Sequence, residues 1–132
     1  MKKSLFQMKG LPIITNLKFD VSKEFNFAID QSLELEINVK TKIFAKEKKS
    51  ANVELELELF PNEKNRPFYL KAISIAYFIW AEGLDEKTIE GLLKVNAPAI
   101  MLSYIRPIIS NITTFSGQPP LLIPLIDLTD NN

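Results

Sequence analysis

Residues 33–59 read LELEINVKTKIFAKEKKSANVELELEL, and this stretch decides the fold class. Apolar residues alternate with polar or charged ones in both halves of the stretch: Leu33, Leu35, Ile37, Val39 and Ile43 in the first, and Val53, Leu55, Leu57 and Leu59 in the second. A period of two is typical of a β-strand with one buried and one solvated face. The polar residues 46–50 predict a hairpin that sets Lys40 and Lys42 across from the region of Glu54 and Glu56.

Two further strands flank this hairpin. Residues 68–80, FYLKAISIAYFIW, are apolar on both faces, which predicts a strand covered on both sides or one at a subunit interface. Upstream, residues 5–8 and 17–21 predict a single strand that is broken around Gly10-Leu11-Pro12. The order of these segments predicts a sheet of four antiparallel strands.

After Gly83 the apolar spacing changes from two to that of a helix. Asp85 predicts a capped helix start, and Asn96 with Pro98 predicts a second start. Apolar or aromatic residues follow at helical spacing, and Pro107 inside this run predicts a kink: Ile100, Met101, Tyr104, Ile105, Ile108 and Ile112. The sequence thus predicts one α+β domain over residues 1–132, a four-stranded antiparallel sheet followed by a long kinked helix packed on one face.

The chain lacks the residues of most catalytic sites. It has 132 residues with no histidine and no cysteine, which excludes disulfides, thiol chemistry, zinc fingers and imidazole acid–base catalysis. No glycine-rich phosphate loop is present, and a site built from carboxylates alone is all that remains open. We therefore expect no enzyme, no metal and no cofactor.

The charge balance argues against nucleic-acid and membrane partners. Sixteen basic residues balance sixteen acidic ones, so no net field favours a polyanion. Residues 107–126 carry no charge but hold four prolines and several polar residues, which makes them a poor membrane span. The first residues lack the apolar core of a signal peptide. We expect a cytoplasmic protein without membrane insertion.

The loop at residues 117–126, GQPPLLIPLI, is unusually apolar, with five Leu or Ile residues and three prolines in ten positions. Loops are normally polar because their backbone must meet water. Such a loop plugs a core, closes an oligomer interface or offers a surface to other apolar chains. Phe25 and Phe27 also lie in a linker, residues 22–31, and with the loop they could line an apolar groove.

A second cluster consists of glutamates on the predicted hairpin: Glu34, Glu36, Glu54, Glu56 and Glu58. A solvated sheet face explains them most simply. A metal or acid–base site would need a cleft, whereas a strand face is usually flat and open. A docking patch for a basic partner is the third alternative.

Two segments of the last third resemble the SecB family of export chaperones. Residues 96–106, NAPAIMLSYIR, are similar to the family's helix segment, where a proline, a short apolar run, a tyrosine and an arginine recur in this order. Residues 115–127, with Gly117, Pro119, Leu121, Leu122 and Pro124, resemble its helix-connecting loop. Residues 6–9, FQMK, and the strand order agree more loosely.

The resemblance implies an ATP-independent holdase that assembles as a dimer of dimers and binds unfolded polypeptides, such as preproteins for export, along apolar grooves. It also implies transfer of clients to the SecA motor through an acidic sheet face. We expect the family's second helix and acidic tail to be missing or reduced to residues 128–130, so SecA docking is a weaker expectation than client holding. Because SecB-like chaperones also occur beside toxin–antitoxin pairs, the alternative is an adaptor dedicated to one partner, such as an antitoxin.

Three sets of residues carry these expectations. The predicted client-binding residues are Phe25, Phe27, Phe115, Pro119, Pro120, Leu121, Leu122, Ile123, Pro124 and Ile126. The predicted partner-docking face is formed by Glu34, Glu36, Glu54, Glu56 and Glu58. The predicted oligomer interface lies on the helix, at Ile100, Met101, Tyr104 and Ile108.

Overall fold

The computed structural model describes residues 5–23 and 35–117. These residues form β1 (Phe6–Val21), β2 (Ile37–Phe44), β3 (Ser50–Leu59), β4 (Phe68–Trp80), α1 (Glu86–Gly91), a π-helical turn (Leu92–Asn96) and α2 (Ala97–Phe115). The four strands form one sheet in the order β1-β4-β3-β2, and all neighbours are antiparallel. The predicted α+β class, a four-stranded antiparallel sheet followed by a long helix, is confirmed.

The hairpin of β2 and β3 has the predicted register. Lys40 lies opposite Glu56 and Lys42 opposite Glu54, so that charges of opposite sign face each other on neighbouring strands. The turn is closed by the backbone N–H of Glu47, which donates to the carbonyl of Ser50 over 2.7 Å. The alternating pattern alone was sufficient to predict this unit.

Strand β1 differs from its prediction, because it is continuous rather than broken. Its pairing with β4 jumps from Lys9 opposite Tyr77 to Ile13 opposite Ile75. The extra residues form a bulge in which Gly10 adopts a positive φ of 79°. A glycine tolerates this conformation, and a bulge absorbs extra residues without ending the ladder. The Gly-Leu-Pro signal therefore marks an irregularity and not a strand end.

The two faces of the sheet have different environments. We call the face that packs against the helix the inner face and the opposite one the outer face. On β3, the inner residues Leu55, Leu57 and Leu59 are fully buried, whereas the residues between them are half-buried. On β4, Leu70 and Phe78 are likewise fully buried on the inner face. The core therefore lies between the two central strands and the helix.

The helix begins as predicted but has no second start. Asp85 caps it, since its carboxylate accepts a hydrogen bond from the backbone N–H of Thr88 over 2.7 Å. Asn96 has helical dihedrals and makes no side-chain capping bond, and the helix runs on from Glu86 to Phe115. The predicted start at Asn96 is wrong.

A wide turn keeps the helix continuous through Pro98. The backbone N–H of Ala97 donates to the carbonyl of Leu92, five residues earlier. Pro98 has no N–H, so the bond to Lys94 that an α-helix would form is absent, and the helix continues through this position by a wider, π-helical turn. One row of buried residues then runs along the whole helix at every fourth position: Ile89, Leu93, Ala97, Met101, Ile105, Ile109 and Thr113. Pro98 and Leu102 are buried beside this row.

The helix from Glu86 to Phe115 is long and apolar enough to cross a membrane by length and composition. Its buried residues, however, pack on the chain's own sheet, as those of a core helix in a soluble protein do. Pro107 lies on the exposed side of α2, and the helix continues beyond it to Phe115. The predicted kink at Pro107 stays a prediction.

Candidate functional site

Most predicted client-binding residues lie outside the described part of the chain. This applies to Phe25, Phe27 and the prolines and aliphatic residues of the loop: Pro119, Pro120, Leu121, Leu122, Ile123, Pro124 and Ile126. Phe115 is described, and it lies at the end of α2 with 86% of its surface exposed. A phenylalanine this exposed, directly before an apolar loop, is available for contact with another chain.

The segment that contains Phe25 and Phe27 starts and ends at one end of the sheet. The backbone N–H of Ser22 donates to the carbonyl of Pro67 over 2.9 Å, and that of Phe60 donates to the carbonyl of Glu36 over 2.9 Å. Both bonds are made to the connection between β3 and β4. The last described residues before the segment and the first ones after it therefore lie beside the same turn.

The helix is directed toward that same end. It starts beside the β2–β3 hairpin, at the opposite end of the sheet, where Lys46 Nζ lies 2.9 Å from Glu86 Oε2. Its buried residues continue along the inner face as far as Thr113, which is fully buried. The helix therefore leads the chain from the hairpin end of the sheet toward the end where β1 stops and β2 begins. Both predicted client segments join the described fold at this end.

The inner face is covered incompletely at its two edge strands. On β2, the inner residues Ile37, Val39 and Ile43 are only partly buried. On β1, Leu17 is 46% exposed and Val21 is 38% exposed. Apolar surface thus flanks the helix on both sides, next to the strand ends from which residues 24–34 continue. Leu17 and Val21 were not among the predicted client-binding residues. The alternation of apolar residues near the end of β1 was the sequence signal that could have identified them.

The five predicted docking glutamates differ in their location and exposure. Glu34 lies outside the described residues, and Glu36 is exposed just before β2. Glu54, Glu56 and Glu58 are half-buried on the outer face of β3. The structure therefore brings three of the five together in one row.

Two glutamates of this row are already engaged within the chain. Glu56 Oε1 lies 3.4 Å from Lys71 Nζ. Glu58 accepts a hydrogen bond from the Tyr69 hydroxyl over 2.5 Å, and the Arg66 guanidinium lies 4.7 Å from the centre of the Tyr69 ring. The bond to Glu58 is the main reason why the pKa of Tyr69 is raised to about 12, and partial burial and the Glu58 charge raise it further.

Glu54 is different, because it forms no ion pair or hydrogen bond with the described residues. Its neighbours across the sheet are Ile75 on β4 and Lys42 on β2. Lysines on both neighbouring strands make the outer face a set of alternating charged rows rather than a uniformly acidic one. The partners Tyr69 and Lys71 lie on β4, and the sequence prediction did not assign them to this site.

Strand β4 carries a row of apolar residues on its outer face. Tyr77 is 39% exposed there, and Ile73, Ile75 and Ile79 are half-buried. Ile13, which lies opposite Ile75 on β1, is 67% exposed. The described residues therefore cover only the inner side of β4. Of the two alternatives predicted for this strand, a position at a subunit interface stays open.

The row ends at a shallow cavity of about 450 Å³ beside the β2–β3 hairpin. Lys48, Lys49 and Tyr77 contribute to its wall. Trp80 also lines it, and its Nε1–H donates to the carbonyl of Lys48 over 3.1 Å. No group of three or more acidic residues that could hold a metal ion occurs within residues 5–23 and 35–117.

The predicted oligomer residues have unequal access to a partner. Met101 is fully buried against the chain's own core, so it positions the helix and cannot contact a second copy. Ile100 and Ile108 are half-buried, and Tyr104 is 41% exposed. Only part of the predicted set is therefore accessible on the surface of α2.

Comparisons with known proteins identify the family of this chain. The profile of the family described as preprotein translocase subunit SecB matches residues 7–130. The protein-export protein SecB of Anaplasma phagocytophilum is 33% identical over 48 residues, which is 36% of this chain and 30% of that protein. That of Ehrlichia chaffeensis is 35% identical over 46 residues, 35% of this chain and 26% of that protein. The aligned segments thus span less than a third of these relatives.

A solved structure has the same fold. The Rv1957 SecB-like chaperone of Mycobacterium tuberculosis, in complex with a ChAD peptide from the HigA1 antitoxin, superposes with a TM-score of 0.73. The match covers 92% of this chain and 90% of that one, at 16% sequence identity, so it supports the fold alone. The family profile, in contrast, extends over nearly the whole sequence. This chain belongs to the SecB family.

Proposed function

We propose that this protein is an ATP-independent chaperone that holds unfolded or non-native polypeptides. The observation that carries the proposal is the apolar surface beside the helix, which includes Leu17, Val21 and the exposed Phe115. It lies where both predicted client segments, residues 22–31 and 116–126, join the fold. Membership of the SecB family supports the same activity.

The energetics of such a site favour weak, repeated contacts. Burying one large aliphatic or aromatic side chain of a client contributes roughly 1.5–3 kcal/mol. Fixing the backbone of each client residue costs about 1–2 kcal/mol, so a single short contact is nearly balanced. Several grooves on one oligomer raise the overall affinity because they bind the same client at once. Release then needs no nucleotide, since each contact dissociates by itself.

We further propose that the protein assembles into a dimer of dimers, as a homotetramer in the cytoplasm. Strand β1 supports this, because it is an edge strand of the sheet with exposed Leu11, Ile13 and Leu17. An edge strand with apolar side chains pairs readily with a second copy. Tyr104 adds an exposed aromatic ring on α2.

A second candidate function is an adaptor dedicated to one partner. The SecB-like chaperone of Mycobacterium tuberculosis was solved with a peptide from an antitoxin, and this motivates an antitoxin as the single client here. Preproteins are the clients in the first candidate, with SecA as a further partner. Docking of SecA to an acidic face would depend on Glu36 and Glu54, because Glu56 and Glu58 are engaged within the chain.

The direct test is suppression of aggregation of chemically denatured proteins diluted into buffer. We expect the wild-type chain to suppress aggregation of several unrelated clients, and the double variant Leu121→Asp/Leu122→Asp to lose most of this effect. The variant Asn111→Asp/Thr114→Asp adds the same charge to exposed polar positions of α2 and should retain it. No suppression by the wild type, or equal suppression by both variants, would contradict the proposal.

Binding of a hydrophobic dye separates the two candidates. An open groove that accepts many clients should bind the dye and increase its fluorescence in the native oligomer. A groove that is closed within the oligomer should not bind the dye, so its fluorescence should not increase. That result would favour the dedicated adaptor.

A further inference from the structure

Phe60 has a backbone conformation that is unusual for its residue type. Its φ is 52°, in the left-handed region, where bulky residues are rare because their Cβ atom comes too close to the following carbonyl oxygen. It lies directly after β3, at the start of the connection to β4. Such a conformation persists only where the surrounding contacts hold it, and it occurs preferentially at functional sites.

The left-handed backbone turns the ring of Phe60 onto the inner face. Leu59 is fully buried on the inner face, so strict alternation would place the next side chain on the outer face. Instead, the ring packs edge-on against Phe68, with centroids 5.1 Å apart and planes at 82°. Phe68 belongs to the core on the inner face. The positive φ is therefore what brings an additional aromatic ring to this side of the sheet.

The ring contact continues across the sheet to β1. Phe68 also packs on Phe19, with ring centroids 5.3 Å apart. On the inner face of β1, Phe19 lies between Leu17 and Val21, the two exposed residues of the apolar surface beside α2. A ring at the end of β3 thus supports the part of β1 that carries this surface.

Two hydrogen bonds hold the backbone of Phe60. Its N–H donates to the carbonyl of Glu36 over 2.9 Å, and its carbonyl accepts from Arg66 Nη1 over 3.1 Å. The Arg66 guanidinium is itself placed over the Tyr69 ring, 4.7 Å from its centre. Both backbone polar groups are satisfied while φ is positive, so the surroundings maintain a conformation that the residue type disfavours.

We propose that Phe60 is a positioning residue of the client surface, and that it acts through Phe68 and Phe19 on Leu17 and Val21. Glycine would adopt this backbone more readily, so a phenylalanine here indicates that the ring is required. The link to client binding rests on the proposed function, whereas the support of β1 by the ring does not.

Matched substitutions separate the ring from the backbone. Phe60→Gly and Phe60→Ala both remove the ring, but glycine alone adopts a φ of 52° without strain. We therefore expect Phe60→Gly to have the higher urea midpoint of the two. Phe60→Tyr keeps an aromatic ring and should restore the properties of the wild type. Glu63→Ala, an exposed change in the same connection, serves as the control.

Client affinity is measured on the full chain, at a temperature where circular dichroism shows every variant to be folded. The probe is reduced, carboxymethylated α-lactalbumin labelled with fluorescein, and its anisotropy reports binding. We expect the Kd of Phe60→Gly to rise about tenfold, and those of Phe60→Tyr and Glu63→Ala to match the wild type. Methyl NMR should show shifts of Leu17 and Val21 in Phe60→Gly, but not of Val53 near the β2–β3 hairpin.

Three outcomes would overturn the proposal. They are an unchanged affinity of Phe60→Gly, unchanged methyl signals of Leu17 and Val21, and an urea midpoint of Phe60→Gly that does not exceed that of Phe60→Ala. If the wild-type chain does not bind the probe, client holding itself fails. The methyl shifts then still confirm or refute the support of β1 by the ring, so the two failures are distinguishable.

Discussion

At the scale of single residues, the bond between Tyr69 and Glu58 shows how a sheet face uses a carboxylate. The hydroxyl of Tyr69 donates to Glu58, and Arg66 lies over the ring while its Nη1 donates to the carbonyl of Phe60 over 3.1 Å. The three side chains connect β3, β4 and the turn between them. This end of the sheet is also where the predicted client segments join the fold, so the network stabilises the base of that site.

The raised pKa of Tyr69 predicts a specific loss of stability in alkaline solution. The pKa is about 12 in the folded chain against an ordinary value of 10.0, so the bond stabilises the fold fully below pH 10 and its contribution is lost as pH rises toward 12. We expect the free energy of unfolding of wild type to exceed that of Tyr69→Phe below pH 10 and to approach it above.

Urea titrations of both proteins at several pH values measure this difference. Spectrophotometric titration provides the check, since the chain has three tyrosines and the last one to ionise should be missing in Tyr69→Phe. A stability difference that is independent of pH, or loss of an early-titrating tyrosine, would contradict the assignment.

At the scale of elements, two glycines illustrate opposite uses of the same residue. Gly10 has a φ of 79° in the β1 bulge, and Gly91 has helical dihedrals at the end of α1. An added Cβ would meet no atom within 4 Å at either position. The two sites therefore differ in backbone conformation and not in available space.

Replacing each glycine by alanine should shift stability in opposite directions. Gly10→Ala forces an L-residue into the left-handed region and should cost about 1–2 kcal/mol. Gly91→Ala raises helix propensity and should stabilise by about 0.5–1 kcal/mol. Equilibrium unfolding in urea measures both changes. Equal signs for the two variants would show that the bulge is not formed as described.

Elements that depend on neighbouring residues could be predicted from the sequence, whereas features that depend on distant partners could not. The hairpin was predictable from its alternating residues and β4 from its continuous apolar run, because both patterns are properties of neighbouring residues. The continuity of β1 was not, since it depends on Ile13 and Lys9 finding partners on β4 around the bulge. The helix past Asn96 depends on a change of turn width, and no pattern of single residues encodes it. The ion pair between Glu56 and Lys71 could not be predicted without the register between β3 and β4.

At the scale of the whole molecule, the helix has one side for its own core and another for a partner. Tyr104 is 41% exposed and Met101 is fully buried, although both were predicted for the oligomer interface. Tyr104→Asp should therefore leave the fold intact and reduce the oligomer mass. Met101→Asp should unfold the chain, since it buries a charge without a partner.

Sedimentation velocity and circular dichroism together measure these two outcomes. Lys94→Asp, on an exposed position of the same helix, serves as the control and should change neither the mass nor the fold. An unchanged mass of Tyr104→Asp would place the contact between copies elsewhere, with the edge of β1 as the remaining candidate.

The strand order β1-β4-β3-β2 has a consequence for synthesis on the ribosome. Among the described strands, β1 pairs with β4 alone, and Thr15 Oγ1 donates to the carbonyl of Ile73, a partner 58 positions later in the chain. Strands β2, β3 and β4 can assemble in the order in which they emerge, whereas β1 must wait for β4 to be completed. Such long-range closure is slow compared with hairpin formation. The nascent chain of this family member thus exposes its own apolar first strand until translation has passed Trp80, and during that interval it resembles the molecules that it is proposed to hold.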